Sequence, residues 1–263
     1  MKRFLALILS VVLVFGVTAC GDSNASNEKK TKLVLGTSAD YAPFEFIVLD
    51  DAGKQQYVGI DVELARKLAE DMGLELEIVN MNFDNLMLSL QKGEIDMVIA
   101  AVEETEERAA VADFSDPYYT DYPPMILVRK GDEGKYTSTE SFEGKTVGAQ
   151  TGTTKTEIVT GDLNATLLGL TSVPDLVNNL VYEKCDAIVV DGAVAMEYAQ
   201  TNDDIVIANV ELGAAYPYRV AVKKGDPSGL LTRFNTTIKK VLEDGTMESW
   251  IENADSISDQ AVQ

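Results

Sequence analysis

Apolar residues recur along this chain in two rhythms that alternate. Short unbroken runs such as LVLGT (Leu33–Thr37), IDMVIAA (Ile95–Ala101) and DAIVVD (Asp186–Asp191) read as buried strands. Between the first two, GIDVELARKLAEDMG sets Val62, Ala65, Leu68, Ala69 and Met72 on one helical face and stops at Gly73, a residue suited to the left-handed position after a helix. LELEIVNM alternates as a strand, and DNLMLSLQKGE predicts a short helix. The β-α-β-α-β order predicts a doubly wound parallel sheet. A second set opens near residue 145. KTVGAQ is a strand, TTKTEIV opens a helix, TLLGL is a strand, Pro174 to Tyr182 a helix, DAIVVD a strand, GAVAMEYAQ a helix and DIVIAN a strand. RVAVKKG and the amphipathic helix SGLLTRFNTTIKKVLEDG, ended by Gly245, close the body, with Trp250 near its end. Two such units predict two lobes, and the proline-bearing segments DYPPMIL and AAYPYRV are placed to cross between them.

The first residues carry a different pattern. Lys2 and Arg3 precede an apolar run from Phe4 to Val17, too short to span a bilayer comfortably, which closes on Val17-Thr18-Ala19-Cys20. This resembles a bacterial lipobox, in which the cysteine is lipidated and becomes the first mature residue. The alternative is a plain secretory signal peptide with a cysteine there by chance. GDSNASNEKKT, from Gly21 to Thr31, has no apolar residue beyond alanine and reads as a solvated tether.

Composition narrows the function. Hydrophobic residues at 46% and charged residues at 25% describe a globular chain. With 22 Lys+Arg against 43 Asp+Glu, a formal net charge of −21 argues against binding nucleic acid, which needs clustered basic residues. Without a single histidine, a Ser-His-Asp hydrolase, a Cys-His protease and a His-ligated metal site are excluded. Lipid on Cys20 would leave Cys185 as the remaining thiol, without a disulfide partner and suited to buried packing.

Five segments then stand in a recognisable order: GTSADYAPFEF, YVGIDVELARKLAEDMGLELE, ETEERAAVADFSDPYY, GKTVGAQTGTT and CDAIVVD. Together they resemble the polar amino-acid substrate-binding proteins of ATP-driven importers, the extracellular solute-binding proteins of family 3, from Leu33 to about Asn253. The resemblance implies a periplasmic-binding-protein-like (type II) Venus flytrap, two α/β lobes joined by two hinge crossings near Asp121–Pro124 and Tyr216–Arg219. The expected layout is a lipoprotein signal peptide over 1–19, an anchored tether over 20–32, one lobe from 33–121 and 219–255, and the other from 122–218. The implied partners are a free L-amino acid, the permease and ATPase of an importer, and a membrane reached through the lipid; the protein itself is expected to be a monomer outside the cytoplasm, facing the cell surface or the periplasm, with no cofactor or metal.

The site can be argued from the chemistry of an amino acid, whose carboxylate and ammonium each need a desolvated partner. Arg108 stands one turn into a helix begun by Thr105, where a guanidinium fork can meet a carboxylate; alternatively it is a surface arginine paired with Glu104 or Glu107. Thr153 and Thr154 follow a strand and open a helix, so their donors can reach the same carboxylate, or Thr154 is simply a helix cap. Asp191 ends a strand at its carboxyl edge, where open α/β sheets bind ligands, and resembles the family's acceptor for the α-ammonium; capping the helix from Gly192 is the alternative.

The remaining positions come from the resemblance. Tyr41 and Phe83 match aromatics that stack on the ligand's side chain, unless they are ordinary core. Ala101, Gln150 and Lys155 match further pocket positions. Ser38 stands where several relatives carry an Asp, and Glu103 where the family usually has Ser or Thr. A carboxylate at 103 would repel the ligand's own unless it turns to an ammonium or guanidinium, so Glu103 is expected to help bind a cationic group or else to face solvent. The implied ligands are lysine, arginine, glutamine or a broad polar set. Two other classes remain open: a dehydratase-like exported enzyme on the same fold, with Glu103 as its odd carboxylate, and an extracellular amino-acid sensor.

Overall fold

The computed structural model describes residues 30–262, so the expected signal peptide, the lipidation site Cys20 and most of the tether lie outside the described residues. The body begins at β1 (Lys32–Thr37), one residue earlier than expected, because Lys32 joins the ladder beside Glu75 and its ammonium reaches Glu77 at 2.9 Å. A hairpin of β2 (Phe46–Leu49) and β3 (Gln55–Val58) follows, then α1 (Ile60–Met72), β4 (Glu75–Asn80), α2 (Phe83–Lys92) and β5 (Met97–Val98). Gly73 takes the expected left-handed turn after α1, with φ 66°. Next come α3 (Glu106–Val111), β6 (Ala112–Phe114) and β7 (Tyr119–Thr120).

The chain then leaves for a second sheet with β8 (Met125–Arg129), β9 (Thr146–Gln150), the single turn α4 (Lys155–Glu157), β10 (Thr166–Leu170), α5 (Val173–Val181), β11 (Ala187–Val190), α6 (Gly192–Thr201) and β12 (Ile205–Ile207). It returns through β13 (Pro217–Tyr218) to β14 (Ala221–Lys223), α7 (Leu231–Glu243) and α8 (Thr246–Ile257).

The lobes are two five-stranded sheets, β4-β1-β5-β14-β6 and β10-β9-β11-β8-β12. Neither is wholly parallel, which corrects the sequence reading. β14 runs antiparallel to β5 and β6, and β8 antiparallel to β11 and β12. Each lobe accepts a strand from a chain that has just crossed over, so that strand enters from the opposite end. The two crossings pair as an antiparallel ribbon, β13 with β7, and Asp121 just beyond it accepts the Tyr218 hydroxyl proton at 2.9 Å and the Ala193 N–H at 3.2 Å. Phe44 meets Tyr119 and Tyr218 edge-on beside this ribbon, with centroids 5.1 and 5.2 Å away.

A continuous apolar layer runs from Leu33, Leu35 and Leu64 of one lobe to Leu176, Ile188 and Val194 of the other, and the far face of each sheet has its own smaller core. Among the described residues no helix is long and apolar enough to cross a membrane.

Candidate functional site

The chemistry-bearing side chains leave the two sheets at the carboxyl ends of parallel strands. Ser38 and Tyr41 follow β1, Ala101 and Glu103 follow β5, Thr153 and Lys155 follow β9, and Asp191 follows β11. Arg108 arrives from α3, whose first turn is capped by the Thr105 hydroxyl accepting the Arg108 N–H at 3.2 Å. Across the cleft, Gly152 is left-handed with φ +79°, and a Cβ there would sit 3.0 Å from the backbone of Asp84 in α2. Glycine therefore serves both the turn and the close approach of the lobes.

Ser38, Tyr41, Phe83, Ala101, Glu103, Arg108, Gln150, Thr153, Lys155 and Asp191 surround one small enclosed cavity. Two open grooves of about 340 and 390 Å³ flank it. Thr154 lines both grooves and not the enclosed cavity.

The cavity is filled by an ionic cluster. Lys155, 3% exposed, places Nζ 2.5 Å from Asp191 Oδ1 and 2.9 Å from Glu103 Oε1. The Tyr41 hydroxyl donates to Asp191 Oδ2 at 2.7 Å, and the Thr154 hydroxyl to Glu103 Oε2 at 2.7 Å. Arg108 donates from Nη1 to the Glu103 carbonyl at 2.8 Å and from Nη2 to the Gly152 carbonyl at 3.0 Å, while its guanidinium lies 5.3 Å from the Phe83 ring centre. Tyr41–Asp191, Thr154–Glu103, Arg108–Gly152 and Lys155–Glu103 all bridge the two sheets.

Burial alone would lower the Lys155 ammonium's pKa, but Asp191 and Glu103 together raise it above the usual lysine value. Burial likewise works against the Glu103 carboxylate, but Lys155, the Thr154 hydroxyl and Arg108 together outweigh it, so Glu103 is held below the ordinary glutamate range.

Several expectations shift on this geometry. Glu103 does not face solvent: it is 3% exposed and turned to a cation, one supplied by the protein's own Lys155. Thr153 spends its hydroxyl on the Gln150 carbonyl at 2.7 Å because both sit in the tight turn after β9. Gln150 donates its side-chain amide to the Thr171 carbonyl at 3.0 Å, and the Ser38 hydroxyl donates to Asp40 at 3.2 Å. Ala101 offers its backbone: at φ +45° it gives its N–H to Asp61 Oδ2 at 2.7 Å. The helix expected to open in TTKTEIV keeps a single α-helical turn, α4, and continues as a wider turn in which the Leu163 N–H reaches the Ile158 carbonyl at 3.0 Å.

Sequence reasoning missed Glu45, which also lines the cavity, is 1% exposed and has an unpartnered Oε2. The signal was available as one acid inside the apolar run APFEFIVL.

Around the cluster lies a ring of reluctant acids. Burial pushes Asp40, Asp61 and Asp121 up to about 6, and Glu45 well above the usual carboxyl range, the Asp61 charge adding to that last shift. An acid whose folded pKa exceeds its unfolded one stabilises the fold below the unfolded value and loses that contribution as pH rises through the folded value. The three aspartates therefore favour the folded state in mild acid, each by up to roughly 3 kcal/mol. The net charge of −21, reduced by the same protons, acts in the same direction. The expected result is a melting midpoint that climbs as the buffer goes from about pH 7.5 to about pH 5. A calorimetric midpoint that falls over that interval would contradict these protonation states.

Two hinged α/β lobes closed on a buried polar cleft define a solute-binding receptor. The sequence profile of the bacterial extracellular solute-binding proteins, family 3, matches residues 33–253. The arginine-binding extracellular protein ArtP of Bacillus subtilis is 35% identical, over 94% of this chain and 96% of its own. A probable histidine-binding protein of Campylobacter jejuni is 30% identical over 95% and 98%. The crystal structure of the amino acid ABC transporter substrate-binding protein AbpA from Streptococcus pneumoniae, bound to L-arginine, superposes with a TM-score of 0.82 at 36% identity, covering 89% of this chain and 97% of that one. The chain belongs to the bacterial extracellular solute-binding proteins of family 3, a family that works outside the cytoplasm.

Proposed function

We propose that this protein is the receptor of an ATP-driven importer, closing residues 33–121 with 219–255 against residues 122–218 on a free L-amino acid and presenting it to the membrane permease. Arginine is the first ligand to test. The observation that carries the reading is a buried arginine and a buried aspartate, Arg108 and Asp191, on facing lobes of one cleft. They offer a guanidinium for the α-carboxylate and a carboxylate for the α-ammonium. Tyr41 and Phe83 border the same cavity with flat faces suited to aliphatic stems and cations. Relatives named for arginine and histidine support a nitrogen-rich side chain over an acidic one. Lipid on Cys20 would hold a monomer at the outer face of the cell membrane.

A thermal-shift screen against the twenty amino acids plus ornithine and cystine tests this. A ligand at about 100 times its Kd adds roughly 2.7 kcal/mol of stability, which is readily seen. A selective rise with arginine supports the reading. A rise with glutamine and many neutral residues keeps the receptor and replaces the ligand. No rise with any of them overturns the amino-acid assignment.

A further inference from the structure

The side chain between the two carboxylates of the cleft belongs to the protein. Lys155 and Asp191 come from the same lobe, following β9 and β11, while Glu103 comes from the other, following β5. The Lys155 ammonium is 2.5 Å from Asp191 and 2.9 Å from Glu103, and the second Asp191 oxygen is taken by the Tyr41 hydroxyl. Both oxygens of Asp191 thus have donors, and the place beside it suited to an α-ammonium holds a lysine ammonium of the same chemistry.

We propose that Lys155 is a built-in ammonium that an incoming amino acid must displace from Asp191, and that Glu103 is where the displaced charge stays. Binding is then an exchange. The ligand's ammonium takes Asp191, Lys155 retreats to Glu103, and the pair so formed leaves the pocket electrically balanced for a zwitterion. This rests on the amino-acid reading above and adds to it a determinant of selectivity. With Lys155 present, Glu103 is neutralised and gives no advantage to a cationic side chain. Without it, Glu103 keeps the Thr154 hydroxyl and has Arg108 Nη1 at 3.8 Å, but it has lost its nearest cation and favours a ligand with a second positive charge. The same lysine also keeps two carboxylates from opposite lobes together, so its removal sets like charges against each other across the cleft.

The test is calorimetric titration of the protein with arginine and with glutamine, in the wild type and in Lys155→Met, Glu103→Gln and the double variant, together with small-angle scattering of each protein without added amino acid. Lys155→Met is expected to shift the affinity ratio toward arginine by roughly tenfold, about 1.4 kcal/mol. Glu103→Gln, which removes the parking place, is expected to weaken both ligands alike by a similar factor. The double variant removes opposite charges together and covers the case in which Lys155→Met does not fold; it should bind both ligands more tightly than wild type with the ratio unchanged.

Equal weakening of both ligands in Lys155→Met would make Lys155 a direct ligand of the substrate and overturn the proposal, as would an unchanged ratio. Scattering separates this from the amino-acid reading. Lys155→Met should enlarge the radius of gyration of the unliganded protein whatever the ligand proves to be, and an unchanged radius overturns the built-in ammonium even if arginine binds tightly.

Discussion

Arg108→Met is expected to remove binding of arginine, lysine and glutamine together, with a loss of roughly 3–5 kcal/mol, or two to three and a half orders of magnitude in Kd. The guanidinium is buried, shifted downward in pKa by that burial yet kept charged, and rests on the Phe83 face. Two of its N–H groups are committed to the carbonyls of Glu103 and Gly152, which leaves the rest of the fork for a carboxylate. An α-carboxylate entering beside Glu103 and Asp191 without that fork is a buried anion among anions, and its penalty does not depend on the side chain it carries. Methionine keeps most of the stem's volume, so the change tests charge and hydrogen bonding more than packing. The bond from Arg108 to Gly152 joins the lobes, so closure weakens as well. Titration calorimetry gives the affinities and circular dichroism verifies the fold. Wild-type affinity in a folded variant would place the carboxylate site elsewhere. Arg108→Lys should recover a fraction of the loss, because a point charge cannot make the bidentate contact.

The periodic elements were legible because their signals are local. α1 follows its apolar stripe and stops at Gly73, and β9 and β11 follow unbroken apolar runs bounded by turn residues. What sequence could not supply was direction. Nothing in RVAVKKG says that β14 lies antiparallel between β5 and β6, since that depends on a crossing a hundred residues away. The hairpin β2–β3 was missed because its turn is built by an aspartate. Asp50 accepts the N–H groups of Ala52 and Lys54, a loop that alternation alone does not reveal. α8 was hidden behind Gly245, which ends α7 and at once begins the next helix.

In the cleft, residue identities were legible and pairings were not. Glu103 was visible as a departure from the family's hydroxyl, and Lys155 as a cation in TTKT, but their meeting at 2.9 Å is a contact between lobes. The bond between Tyr41 and Asp191 spans 150 positions and carries no sequence signature.

Asp191→Asn is the second large expected effect, and its size depends on how the site is filled. The side chain caps no backbone group of α6; its two oxygens face Lys155 and the Tyr41 hydroxyl. Asparagine keeps the shape and one acceptor but removes the charge that an α-ammonium needs, at a cost of roughly 2–3 kcal/mol, or about thirty- to more than a hundredfold in Kd. The loss should be smaller than for Arg108→Met. Lys155, the ammonium already there, loses the same attraction and is drawn to Glu103, so what the ligand must displace is weaker too. The competitor at Arg108 is weaker, since the guanidinium's hydrogen bonds go to neutral carbonyls and the Glu103 carboxylate stands off at 3.8 Å from Nη1. The ordering of the two variants therefore carries information that neither carries alone. If Asp191→Asn cost more than Arg108→Met, Lys155 would not be competing for that position. If it cost nothing, the ammonium would sit on another carboxylate, and Glu103, already 2.9 Å from a lysine ammonium, is where it would be found.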